Sequence, residues 1–242
     1  MPSIIIYTST KTNHMRIVKN QKPAVLVLLI FSIAAFSSCL TPKKMDKFVA
    51  SQYSNQLPKA RKMRADIVVS SAVRSPSNDI SATTKKTSNF LPLIVYWQCD
   101  YRHTCTLNPA IALSSFTNTL NTLTTKGLAD KLNGQRLELT VEQIPIAFSL
   151  VEKARMVWLL YAFSWGKIYM EPDFKDLVVS YKLIQDETPV KTGKISIKGD
   201  AHNKGLRFFQ SWKSATSEHL ADYNANITAM SRAFVNKLVE EL

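Results

Sequence analysis

The chain has 242 residues, a formal net charge of +13 and 45% hydrophobic residues, enough for one domain with a real apolar core. Its six glycines leave little room for a phosphate-cradling loop. The excess of lysine and arginine favours anionic partners: nucleic acid, phospholipid headgroups or lipopolysaccharide phosphates.

The first element is a secretory pattern. A polar stretch, residues 1–14, precedes a basic segment with Arg16, Lys19 and Lys22. Ala24 to Phe36 then carries no charge, and Ser37-Ser38-Cys39 follows. Basic n-region, apolar h-region and small residues at the cut are the order of a signal peptide. The run is shorter than the roughly 20 residues needed to span a bilayer. A buried core helix is the alternative for such a run; its N-terminal position, basic flank and Ser-Ser-Cys end argue against that.

Phe36-Ser37-Ser38-Cys39 resembles the lipobox of bacterial lipoproteins: an apolar residue, two small residues, then the cysteine that is modified. Phe36 stands where leucine is usual. The resemblance implies that Met15 is the working start and that residues 1–38 are removed by cleavage between Ser38 and Cys39. It also implies that the Cys39 sulfur takes a diacylglycerol and that its amine takes a further acyl chain, such as palmitate. Two or more acyl chains hold a protein firmly on a membrane. Leu40, rather than aspartate, follows the cysteine. In Gram-negative sorting this implies the outer membrane, inner leaflet, facing the periplasm.

Residues 39–64 read as a lipidated basic tether, with Lys43, Lys44, Lys47, Lys59, Arg61, Lys62 and Arg64; a short helix is expected at Met45–Tyr53, ended before Pro58. A single domain is expected over residues 65–242. Asp66–Val73 reads as a strand and Arg74–Asn89, rich in Ser, Thr, Asn and Lys, as a loop. Phe90–Gln98 (FLPLIVYWQ) reads as a central strand buried on both faces. Leu107–Asn133 predicts a helix capped by Asn108, with Pro109 at its first position and Gly134 past its end.

Gln135–Ile144 alternates apolar and polar residues, as a half-exposed strand does. Ala154–Trp165 (ARMVWLLYAFSW) reads as a further strand. Asp176–Gln185 and Val190–Lys198 alternate around Asp-Glu-Thr-Pro and read as a hairpin. Two helices are expected at Lys204–Thr216 and Ser217–Leu242; in the second, Leu220, Tyr223, Ile227, Met230, Phe234 and Leu238 recur at helical spacing. The order implies an α+β fold, a mostly antiparallel or mixed sheet with helices on one face.

Cys99 and Cys105 are the remaining cysteines. An exported chain meets an oxidising compartment, so a Cys99–Cys105 disulfide is the first reading and two buried thiols the second. A metal site of Cys99, His103 and Cys105 lacks a fourth ligand and matches no familiar zinc spacing. No G-x-S-x-G, H-E-x-x-H, P-loop or Rossmann pattern occurs, so no cofactor or metal is expected. His103, His202 and His219 read as surface residues, and Glu171-Pro172-Asp173 reads as a turn. Trp97, Trp158, Tyr161, Phe163 and Trp165 read as core packing in an aromatic-rich sheet, with the lining of a ligand cavity as the alternative.

Removing Lys11, Arg16, Lys19 and Lys22 with the signal leaves 27 of the 31 basic residues against 18 acids, a net +9. In a periplasm nucleic acid is not a partner, and the candidates are the membrane itself, an envelope protein or anionic lipid. The layout resembles the auxiliary lipoproteins of lipid-trafficking ABC systems and the lipoprotein that plugs the lipopolysaccharide translocon. That likeness is of architecture, with no motif to carry site residues. A non-catalytic accessory or binding subunit is therefore expected. The alternatives are a periplasmic hydrolase with a dispersed site and a purely structural envelope protein.

Overall fold

The computed structural model describes residues 40–53, 66–74, 79–92, 95–124, 128–158 and 161–242. The signal segment, Ser38, Cys39 and residues 54–65 lie outside them. Chain order sets the architecture. Helix α1 (Pro42–Tyr53) comes first, then strand β1 (Ile67–Ser71) and a long hairpin, β2 (Ser81–Leu91) and β3 (Tyr96–Thr106). Helices α2 (Pro109–Leu123) and α3 (Ala129–Leu132) follow, then β4 (Arg136–Gln143). A second long hairpin, β5 (Ala147–Trp158) and β6 (Ala162–Pro172), precedes a third, β7 (Leu177–Gln185) and β8 (Thr188–Ile197). The two-residue strand β9 (Lys204–Gly205) leads into the 30-residue helix α4 (Trp212–Glu241).

The fold is α+β, as expected, with the strands divided between two sheets. Sheet I has the order β1-β4-β7-β8, and sheet II the order β2-β3-β5-β6-β9. Among the described residues only β1 and β4 run parallel; every other pairing is antiparallel. The alternation read in β4 is real: Leu137, Leu139 and Val141 are buried, and Arg136 and Glu142 are exposed. The β7–β8 turn is made by Asp186 and Glu187, both at positive φ (49° and 65°), the conformation whose backbone twist matches a two-residue hairpin.

Helix α4 joins the two sheets. Thirty residues at 1.5 Å rise span about 45 Å. Near its start His219 packs on Phe148 of β5, ring centroids 4.9 Å apart. At its end Glu241 accepts a hydrogen bond from the Tyr181 hydroxyl of β7 at 2.8 Å. Its buried face holds the residues read from the periodicity, Leu220, Tyr223, Ile227, Met230, Phe234 and Leu238. Phe234 meets Phe116 of α2 at 5.5 Å. The N-cap of α2 is Asn108, whose side chain accepts from the Ala110 N–H at 2.8 Å.

Several boundaries differ from the sequence reading. The expected tether folds in part: Met45, Val49 and Tyr53 of α1 are buried, Phe48 packs edge-on against Trp212 at 5.3 Å, and the compact body runs from Thr41 to Leu242. Of the helix expected at Leu107–Asn133, the described residues give α2 and α3, and residues 125–127 between them lie outside the description. The expected loop at Arg74–Asn89 contains β2, a strand almost wholly exposed. A strand with both faces in water has no apolar alternation to reveal it. The two expected C-terminal helices are one. Lys204–Gln210 instead forms β9 and a turn, and the Ser211 side chain caps α4 by accepting from the Ser214 N–H.

Candidate functional site

Sheet II outgrows its helical cover. Near α4 its residues are packed: Cys105, Phe148 and Leu150 are almost fully buried. Towards the other end burial fades. In β2 every residue from Thr83 to Leu91 is exposed, and in β6 every residue from Ala162 to Ile168. At this end the β2–β3 and β5–β6 hairpins turn side by side, joined where the Trp158 N–H donates to the Val95 carbonyl at 3.1 Å.

The register places large apolar residues on both faces of this end. One face carries the row Phe90–Trp97–Met156, with Trp158 beyond it. The other carries Leu91–Tyr96–Val157–Phe163, with Trp165 one row behind. Trp97, Trp158 and Trp165 are 43%, 55% and 55% exposed, and Tyr161 beside the second turn is 75% exposed. Three of the chain's four tryptophans are therefore in water here. This corrects the reading of these aromatics as core. Phe90–Gln98 and Ala154–Trp165 are not central strands either: each run straddles a hairpin turn.

The turns are themselves apolar in sequence, Leu91-Pro-Leu-Ile-Val95 and Trp158-Leu-Leu-Tyr161, where turns ordinarily use Gly, Asn or Asp. Val95 takes φ 42°, a conformation β-branched residues rarely accept. These turns were the sequence signal for the site. An apolar run interrupted by Pro92, with no polar turn residue, meant a hairpin whose tip is apolar.

A charged belt lies behind the tip. It holds Lys85, Lys86, Arg102, Lys153, Arg155 and Lys167 against Asp100, Glu152 and Glu171, six cations to three acids. Arg102 grips Glu171 with both guanidinium nitrogens, at 2.8 and 2.9 Å, and Arg155 pairs with Asp100. These pairs leave the lysines as the net charge. Lys86 lies over the Tyr101 ring at 5.4 Å, and Lys153 and Lys167 lie near the Tyr169 ring at 5.6 and 5.7 Å. A second exposed apolar feature is Phe208–Phe209, 89% and 95% exposed, on the loop before α4.

A groove of about 480 Å³ runs beside α4, lined in part by Asp173, Asp200, His202, Lys204, His219 and Asp222. His219 is buried, not a surface residue; burial pushes its pKa down to about 4, and its Nε2 has no hydrogen-bond partner among the described residues. Two of the three acids lining the groove are engaged. Asp173 accepts from the Ile146 and Lys175 N–H groups; Glu171 and Pro172, read as part of a turn, instead end strand β6, paired with Ser149 and Phe148. Asp222 pairs with Lys204 at 2.9 Å. No nucleophile is held by a base here, and among the described residues no three His, Cys, Asp or Glu side chains converge on a metal position.

The disulfide expectation is corrected. Cys99 and Cys105 are buried free thiols. They sit six residues apart on the extended strand β3, about 20 Å at 3.3 Å per residue, far beyond the roughly 7 Å limit for a bridge. Burial pushes the Cys105 thiol up to about 12. His103, between them on the same face, is buried rather than at the surface. Its Nδ1 meets the Thr84 hydroxyl at 2.7 Å, and burial lowers its pKa. His202 is exposed. The lipidation residue Cys39 and its neighbour Ser38 lie outside the described residues. Compared with family models, curated proteins and solved structures, the chain matches none.

Proposed function

We propose that this chain is an envelope lipoprotein. In this reading it is held through Cys39 in the inner leaflet of the outer membrane, facing the periplasm. It acts there as a non-catalytic accessory or binding subunit of a lipid or lipopolysaccharide transport or assembly complex. The observation that carries the binding part is the bare apolar end of sheet II. A soluble protein rarely leaves a contiguous patch of large apolar residues in water unless something covers it. The anchor part rests on the lipobox-like Phe36-Ser37-Ser38-Cys39.

A hydrolase reading rests on the groove beside His219. It is weaker, because Asp173 and Asp222 are already committed to turn and ion-pair contacts. Affinity purification from detergent-solubilised envelopes tests the binding reading. Co-purification of a membrane component, lost when Phe90, Trp158 and Phe163 are replaced by Ser, is the expected result. Recovery of the chain alone, with neither lipid nor a membrane protein, would contradict it.

A further inference from the structure

We infer that the end of sheet II is a second membrane contact: its aromatic tip rests in the headgroup region of an anionic bilayer, with the lysine belt against lipid phosphates. The inference deepens the envelope reading and rests on it to bring the chain to a membrane.

Three features favour a bilayer over a protein groove. The first is the arrangement of apolar residues. A protein groove takes one face of a strand pair, whereas Phe90, Trp97 and Trp158 lie on one face and Leu91, Phe163 and Trp165 on the other. A wedge apolar on both faces and at both turns suits a medium that surrounds it. The second is composition. Trp and Tyr are the residues that settle at a membrane–water interface, apolar body inward and polar N–H or O–H outward. The third is charge. The belt has a net +3, from six cations less three acids. Lysine stems run along apolar surface while the ammonium reaches phosphate. Each lysine near an anionic surface strengthens binding about fivefold.

The geometry also sets the depth. Arg155, paired with Asp100, lies three residues from Trp158, so the apolar cap is about 10 Å tall at 3.4 Å per residue, with the nearest lysine, Lys153, two residues further back. That matches the roughly 5–10 Å to which interfacial elements bury. Deeper entry is opposed by the backbone. At the tip the outer edges of β2 and β6 have no neighbouring strand among the described residues, where β9 pairs only with Tyr169 and Met170. Unpaired N–H and C=O groups are not tolerated in hydrocarbon, but at headgroup level water satisfies them.

The test uses the full acylated chain in vesicles of phosphatidylethanolamine and phosphatidylglycerol, with lipids brominated at defined depths. Trp212→Phe leaves the three tip tryptophans as reporters. Flotation reports the anchor separately. The expected result is a blue-shifted emission, quenched most by bromine near the headgroups. Quenching should fall in vesicles of phosphatidylcholine alone and when Lys85, Lys86, Lys153 and Lys167 are changed to Glu. Phe90→Ser with Leu91→Ser and Phe163→Ser should abolish it without changing flotation; all three side chains are more than half exposed, so the fold does not depend on them.

A chain that floats with unquenched tryptophans would overturn the inference while leaving the anchor intact. So would tip cross-linking in native envelopes to a protein rather than to lipid. A chain that is neither acylated nor floating would instead overturn the envelope reading itself.

Discussion

His219 should make the protein acid-labile, by an amount the structure sets. Its ring is 93% buried against Phe148. Burial holds its pKa near 4 against an ordinary 6.5; Asp222 pulls it up slightly and Lys204 pushes it down. Asp173, Asp200 and His202 line the same groove. Between pH 6.5 and 4 the unfolded chain binds a proton at this position and the folded chain does not. Stability is therefore fully present above pH 6.5 and falls as pH drops through that window. The gap is 6.5 less 4, or 2.5 pH units, worth about 3 kcal/mol at 1.36 kcal/mol per unit. Denaturant unfolding of wild type and His219→Phe from pH 7.5 to 4 isolates it. Contributions from Glu142 and Glu218, whose carboxyls sit low because of lysine hydrogen bonds, cancel in the difference. The stability difference between the two proteins should move by about 3 kcal/mol in favour of the variant as pH falls. A difference that stays constant across the range would refute the buried-neutral histidine.

Other perturbations have equally definite outcomes. Phe234→Ala deletes a fully buried ring packed on Phe116 and should cost about 3–5 kcal/mol in urea unfolding. A Cβ at Gly193 would stand 2.5 Å from the Tyr181 ring, whose hydroxyl holds Glu241. Gly193→Ala should therefore cost about 1–3 kcal/mol through overpacking, and much less in a Tyr181→Ala background; equal costs in both would contradict that contact. Cys99 and Cys105 should both be alkylated after unfolding without reductant, and neither while folded. Mass spectrometry showing them two hydrogens lighter, as a bridge, would overturn the strand geometry.

Legibility followed the range of the interaction that decides each element. Helix α2 announces itself locally, because Asn108 and Pro109 cap it without help from the rest of the chain. β4, β7 and β8 are legible because one face is buried, which imposes period two. The tip failed for the opposite reason. Phe90–Gln98 and Ala154–Trp165 have the composition of buried strands. Whether an apolar strand is covered depends on how far α1 and α4 extend over the sheet, and no residue within the run records that. α1 was misread as tether because its exposed lysines, Lys43, Lys44 and Lys47, are as many as the buried Met45, Val49 and Tyr53. The cysteine pair misled because its six-residue spacing suits a loop as well as a strand, and only the strand forbids a bridge.

Everything said of compartment and partner descends from Cys39, so the most direct measurement is its acylation. Cells expressing the wild-type chain or Cys39→Ser are fed radiolabelled palmitate, and the immunopurified proteins are compared for label and size. The account predicts label on the wild type alone, with the variant accumulating as an unprocessed precursor larger by the signal segment. Label persisting on the Cys39→Ser protein, or a wild-type chain that takes none, would contradict the anchor and with it the placement of the aromatic tip at a membrane.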